Sequence, residues 1–395
     1  MRKLLFLFLR LIGGWQKLWL RIRKRSGSDL NDHRMVTGRA WEEYCDNLKA
    51  SGSVLLTGGG PKDPFNQAEG IRYLSRLARA GLEAFVEYND PMFPVLRRMV
   101  HETVKMGADN PDNHYLNAQI DGRMDYKITG RRNSIDHVSF HTQNGSYGST
   151  GGLAPCGKID NHELVVETDG SFEIFLTRER KGKNWLKLEE KTSMVMVRQT
   201  YADREKEQPA QMEIINLSAG EKPGPLTAER LDEGLKAASM LVGGAPLLFT
   251  RWAKGFKKHV NTLPEFDPKT SIAAGGDETI RYYHSYWKLE KDQALVIEVI
   301  PPECDAWNFQ LNNFWMESLD YRYHNICINK SSAVREPDGS VKIVVAHENP
   351  GVPNWISTAH HHEGTMCWRW YRIHEGSEPV EPSCRVISKD ETANL

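Results

Sequence analysis

Three consecutive histidines and a glutamate, His360-His361-His362-Glu363, form the densest cluster of potential metal ligands in the chain. Imidazole and carboxylate suit zinc, iron or nickel, and an ion held there would activate water for a metal-dependent hydrolase or oxygenase. On a strand, alternate side chains point to opposite faces, so only His360 and His362 could meet at one ion. A third ligand would have to come from His284, His324, His347 or Glu363. A divalent metal is therefore a conditional cofactor, and a solvent-exposed histidine loop is the plainer alternative.

Arg369 is a second candidate. If its segment is a strand, it shares a face with Cys367 and Tyr371, as Arg198 does with Met194 and Met196. An arginine among apolar side chains needs a partner, because a buried unpaired charge costs several kcal/mol. Glu179 and Glu348 could supply that partner from within the protein. Otherwise Arg369 grips the carboxylate, sulfate or phosphate of a ligand. The run Trp307–Tyr321 offers a third possibility. Trp307, Phe309 and Leu311 alternate with Asn308, Gln310 and Asn312, so a strand here has an aromatic face and an amide face. Trp307, Phe309 and Trp315 could contact a ligand's apolar part, or the aromatic face could be core. Glu317 and Asp320 could form an acid–base pair only if a cleft brings them together. The chain has no Gly-x-Ser-x-Gly elbow, no dinucleotide fingerprint and no His-Glu-x-x-His motif, so no catalytic residue is assigned.

The elements that must position these residues come largely in duplicate. Asp169–Gly182 aligns without a gap on Asp338–Gly351, and six of the fourteen positions are identical. Average residue usage predicts ~1. Asn184-Trp185 and Arg198 follow the first copy as Asn354-Trp355 and Arg369 follow the second. Asp169-Gly170 and Asp338-Gly339 are hairpin turns between alternating apolar runs. The conserved spacing makes the Asn-Trp pairs determinants of the fold.

Short alternating runs place a first β module at 115–217 and a second at 275–373. A helical segment precedes them at 35–105. A helical connector at 226–262 joins them, interrupted at Gly243-Gly244 and Pro246. The Pro-, Ser- and Glu-rich tail 374–395 reads as loose. The fold class is α+β and mainly β, with two repeated antiparallel sandwich-like modules.

Residues 1–25 differ from the rest. They hold eight Lys/Arg and no acid, which leaves the remaining chain at −9 against an overall −1. An acidic body argues against nucleic acid as a partner. Arg10 interrupts the apolar run and no small-x-small cleavage site follows, which argues against a cleaved signal peptide, and Leu4–Leu9 is far short of the roughly 20 residues of a membrane span. Lys3, Arg10, Lys17 and Lys24 recur every seven residues, opposite Leu4, Phe8, Leu11, Trp15, Trp19 and Ile22. Such a helix lies in the interface of an anionic membrane, where each cation adds about 1 kcal/mol. The alternative is a helix packed on the protein's own body. The six cysteines are scattered without a Cys-x-x-Cys pair, as in reduced cytosolic proteins.

Several of these motifs occur together in one known family. Asp63–Leu74, Ile120-Asp121-Gly122 with Tyr126–Gly130, the two Asp-Gly-Ser … Asn-Trp blocks and Phe314-Trp315 … Leu319-Asp320-Tyr321 lie in order along the chain. Over roughly 41–371 the chain resembles the bacterial domain-of-unknown-function family numbered twelve-fourteen. The resemblance implies a mainly β C-terminal domain of sandwich type and carries no reaction. The expectation is a cytoplasmic protein, peripheral to the inner membrane, whose second β module binds, and as an enzyme would also transform, a lipophilic or carbohydrate-like small molecule. Alternatives are the metal-dependent enzyme at His360 and His362 and a non-catalytic interaction scaffold.

Overall fold

The computed structural model describes residues 27–145 and 153–395. The basic segment 1–25 lies outside the described residues. Helices α1 (Gly27–Val36), α2 (Arg39–Ser51), α3 (Ser53–Thr57) and α4 (Pro64–Leu82) open the described chain, and a π-turn (Glu83–Glu87) ends α4. Asp63 caps α4 by accepting a hydrogen bond from the Asn66 amide, and Pro64 occupies the first turn, where its missing N–H costs nothing. No helix among the described residues is long and apolar enough to cross a membrane.

The first β module contains β1 (Asn113–Gln119), β2 (Tyr126–Arg131), β3 (His137–Gly145), β4 (Leu153–Ile159), β5 (Ser171–Thr177), β6 (Trp185–Lys187), β7 (Thr192–Thr200) and β8 (Gln211–Asn216). They form two four-stranded sheets, β1-β7-β3-β4 and β6-β5-β2-β8. The second module repeats this with β9 (Ile280–Lys288), β10 (Gln293–Val299), β11 (Cys304–Leu311), β12 (Cys327–Asn329), β13 (Val341–Ala346), β14 (Trp355–Ser357), β15 (Glu363–Ile373) and β16 (Ser383–Ser388). Its sheets are β9-β15-β11-β12 and β14-β13-β10-β16, the same order strand for strand. Even the parallel pairing of β5 with β6 recurs between β13 and β14. The fold is thus α+β, mainly β, and duplicated.

The repeated motifs account for this. Asn184 accepts from the Val165 amide at 2.8 Å and donates to the carbonyls of Val165 and Glu173. Asn354 does the same with Val334 and Lys342. Trp185 and Trp355 each donate the indole N–H to a carbonyl 3.1 Å away, of Thr177 and Ala346. Gly170 and Gly339 hold φ of 84° and 85°, left-handed values that glycine adopts without a Cβ penalty. Each module encloses its own core between its two sheets. Ile128, Phe140, Ile174 and Val197 are central to the first; Trp307, Phe309, Trp368 and Trp370 fill the second.

Two sequence expectations are corrected here. The connector is one unbroken helix, α5 (Ala228–Phe256), through Gly243-Gly244 and Pro246. Proline removes a helix hydrogen bond, but Leu241, Val242, Ala245 and Phe249 are buried against α4 and the second module, and this packing outweighs the loss. Gly234 permits close contact, since a Cβ there would stand 2.2 Å from the Phe85 carbonyl oxygen. A further short helix, α6 (Pro268–Ala273), follows. The tail is not loose either: β16 pairs with β10 from Gln293↔Ser388 to Glu298↔Ser383 and completes the outer sheet.

Candidate ligand-binding site between the modules

Strand alternation gives β7 and β15 two faces each. Val195 and Val197 enter the first core, so Met194, Met196 and Arg198 face outward from that module. Trp368 and Trp370 enter the second core, so Cys367, Arg369 and Tyr371 face outward from the other. Arg198, Arg369 and Tyr371 all line one cavity of about 140 Å³, bounded also by α5 and the segment before β1. Met99, Met106, Met194 and Met196, with Phe249 and Trp252, form part of its apolar wall.

Each module contributes an arginine and the tyrosine opposite it on the neighbouring strand. Tyr115 on β1 pairs in register with Arg198 on β7, and Tyr282 on β9 with Arg369 on β15. All four line the cavity. Arg369 is 4% exposed. Its Nη1 donates to Gln310 Oε1 at 2.6 Å and Asn308 Oδ1 at 3.3 Å, and its Nη2 donates to the Ala108 carbonyl. Asn308 and Gln310 are the amide face of β11, while Trp307 and Phe309 point the other way into the core. Arg198 donates to the Gly275 carbonyl at 2.5 Å, and its Nη1 is buried without a hydrogen-bond partner among the described residues.

The tyrosine hydroxyls are acceptors in this network. Tyr115 accepts from the Asn110 amide at 2.9 Å, Tyr282 from the Asp277 amide at 3.2 Å, and Tyr371 from Asn110 Nδ2 at 2.6 Å. Burial holds all three phenols neutral, with Tyr282 pushed up to about 12. His284 also lines the cavity, stacked between Phe256 and Tyr282, and its buried Nδ1 has no hydrogen-bond partner among the described residues. Burial, with Arg369 nearby, pushes its pKa down to about 3, so the ring is neutral.

Two constellations look catalytic and are not arranged for it. Ser139 Oγ and Asp277 Oδ2 lie 3.0 and 3.1 Å from His141, both at Nε2, whereas a serine–histidine–aspartate relay uses both ring nitrogens. Cys367 Sγ lies 3.8 Å from His284 Nε2, but burial raises the thiol to about 11 while the imidazole falls to about 3. No thiolate–imidazolium pair forms, so the sulfur is a poor nucleophile.

Of the residues singled out from sequence, Arg369 reaches the cavity. Trp307 and Phe309 do not: they are 1% and 0% exposed, packed with Trp368 between the sheets. Trp315 is buried against α4 instead, its indole N–H on the Asn66 carbonyl and its ring against Gly70. An aromatic strand face buries more apolar area against a second sheet than against a ligand, and here the second sheet is present. The histidine run is a turn rather than a strand, with Ala359 and His360 at positive φ. His360 stands beside His324 and His362 beside His347, both exposed, so they do not converge on one ion. No cluster of three or more potential ligands capable of holding a metal occurs among the described residues. The buried member is His361, whose Nε2 meets Glu69 Oε2 at 2.7 Å.

The expected carboxylate partners of the arginines are engaged elsewhere or remote: Glu348 pairs with Lys389, and Glu179 makes no ion pair among the described residues. Glu317 meets Arg76 at 2.6 Å and Asp320 pairs with Arg322 at 2.7 Å, so these two do not act as one pair. Sequence reading missed Tyr115 and Tyr282, and named His284 only as a possible metal ligand, whereas it lines the cavity. The matching 169- to 171-residue offsets could have directed attention to Arg198 as a cavity residue alongside Arg369.

Comparison with known proteins agrees with the duplicated architecture. The family model described as Protein of unknown function (DUF1214) matches residues 112–204 and 288–375, one segment in each module. The crystal structure of an uncharacterized protein from Burkholderia cenocepacia is 45% identical, with a TM-score of 0.88 over 92% of this chain and 99% of that one. The VPA0106 protein from Vibrio parahaemolyticus is 13% identical over 80% of this chain and 98% of that one, with a TM-score of 0.46. No curated protein matches the chain.

Proposed function

This chain belongs to the DUF1214 family of proteins of unknown function, and from its own site we propose that it binds a lipophilic small molecule in the cavity between its two β modules. The observation that carries this reading is the wall. Four methionines, Phe249 and Trp252 stand beside polar groups fixed by their own hydrogen bonds, and such a mixture of apolar wall and placed polar groups suits a small-molecule site. Methionine adapts to irregular apolar shapes. Several of the polar side chains in the wall, Asn110, Tyr115, Tyr282 and Arg369 among them, are already bonded within the protein, which favours a lipophilic body over a carbohydrate. The ligand site is shared by both modules rather than confined to the second.

The test is fluorescence of N-phenyl-1-naphthylamine, which brightens in apolar sites. Ala274 lines the cavity and is partly exposed, so Ala274→Trp places a ring in it at little cost to the fold. Wild type should enhance the dye and Ala274→Trp should not, at equal Tm. Equal enhancement by both, or none by wild type, overturns the reading. The basic amphipathic segment 1–25 makes the protein peripheral to an anionic membrane in this proposal. Flotation with phosphatidylserine vesicles should be lost when residues 1–25 are removed; retained flotation sinks that part alone.

A further inference from the structure

Resting on the cavity reading, and deepening it to the chemical class of the ligand, we propose that the site takes a lipophilic carboxylic acid: the carboxylate is received by Arg198 and Arg369 with Tyr115 and Tyr282, and the apolar body lies among the methionines and Trp252.

Charge is the first argument. Arg369 is always a cation, it is 4% exposed, and the groups it donates to are neutral amides and a carbonyl. No carboxylate forms an ion pair with Arg369 or Arg198 among the described residues. The nearby acids are bonded elsewhere: Asp277 to His141 at 3.1 Å and Lys158 at 3.4 Å, Asp109 to the amide and hydroxyl of Ser318, and buried Asp112 to the side chains of Asn329 and Asn308. Asp109 and Asp112 act on Arg369, and Asp277 on Arg198, through space without touching them, so a buried guanidinium still lacks a directly bonded anion, which a ligand carboxylate would supply.

Hydrogen-bond capacity is the second. Arg198 Nη1 is a buried donor with no acceptor among the described residues, while Tyr115 and Tyr282 already accept at oxygen and keep their hydroxyl hydrogens to give. Both arginines act electrostatically on both tyrosines, so the four groups face a common space. A wall of donors calls for an acceptor without hydrogens of its own, which is what an ionised carboxylate is. The supply also limits the charge. Both terminal nitrogens of Arg369 are already bonded to protein oxygens, so Arg198 Nη1 is the chief uncommitted charged donor. One such donor plus neutral hydroxyls suits a monoanion with two oxygens better than a phosphate dianion. Because the pairs come one from each repeat, neither module alone could make the site.

Isothermal titration calorimetry of the full chain with decanoate, decanol and decyl phosphate tests this, on wild type and Arg198→Gln. Decanoate should bind at least tenfold more tightly than decanol. Arg198→Gln should erase that preference while the affinity for decanol stays within twofold. Equal affinities for decanoate and decanol in wild type would overturn the carboxylate assignment and leave the lipophilic cavity standing. Decyl phosphate binding tenfold more tightly than decanoate would also overturn it, in favour of a dianion. No binding of any of the three would overturn both readings. Should Arg198→Gln fail to fold, the ranking of the three ligands on wild type decides the question.

Discussion

Glu69 on α4 is 8% exposed and joins the N-terminal helices to the second β module. Its Oε2 receives Asn313 Nδ2 at 2.8 Å and lies 2.7 Å from His361 Nε2, and its Oε1 pairs with Arg72. Burial pushes the carboxyl up, but the hydrogen bond and charge of His361, then Asn313 and Arg72, outweigh it and hold the group at about 2 against an ordinary 4.5. Each tenfold change in proton affinity is about 1.4 kcal/mol, so the ionised group contributes ~3 kcal/mol to stability at neutral pH. The folded value is the depressed one, so this contribution is complete above about 4.5 and declines as pH falls toward about 2. Glu69→Gln should therefore cost ~3 kcal/mol at pH 7 and ~2 kcal/mol at pH 3.5, and converge with wild type near pH 2. Urea denaturation of both proteins at pH 7, 5, 4 and 3.5 measures the difference. A cost that stays constant across that range would falsify the electrostatic account and attribute the loss to shape alone.

Two further outcomes follow from the corrections. Trp307 stacks on Trp368 with ring centroids 5.0 Å apart and an angle of 15°, so Trp307→Ala should cost ~3–5 kcal/mol in urea denaturation. A loss below ~1 kcal/mol would mean that the ring is not core. His360→Ala with His362→Ala removes two exposed rings and should change stability by less than about 0.5 kcal/mol. Elemental mass spectrometry of untagged protein should find the same metal content before and after; one equivalent lost in the double variant would restore a metal centre there.

The period-two runs and paired Asp-Gly turns made the duplicated β architecture legible because those signals are local: a strand's alternation and a turn's demand for positive φ are satisfied within a few residues. The Asn-Trp pairs were legible for a related reason, since each asparagine ties segments fewer than twenty-one residues apart, Val165 to Asn184 and Val334 to Asn354. What a strand face meets is not local. The aromatic side of Trp307–Leu311 could have served a ligand or a core, and only the opposing sheet of the second module decided for the core. The three histidines could have been a strand, and the turn at Ala359-His360 sends His361 inward to Glu69, 292 residues earlier. Pro246 predicts a break that the buried faces around it override. The cavity itself is the extreme case. Tyr115, Arg198, Tyr282 and Arg369 come from four separate strands of two modules, and nothing in their flanking sequence states that the two arginine-bearing faces point at each other. Sequence determined each pair's place within its own sheet; packing of one module against the other decided that the pairs share a site.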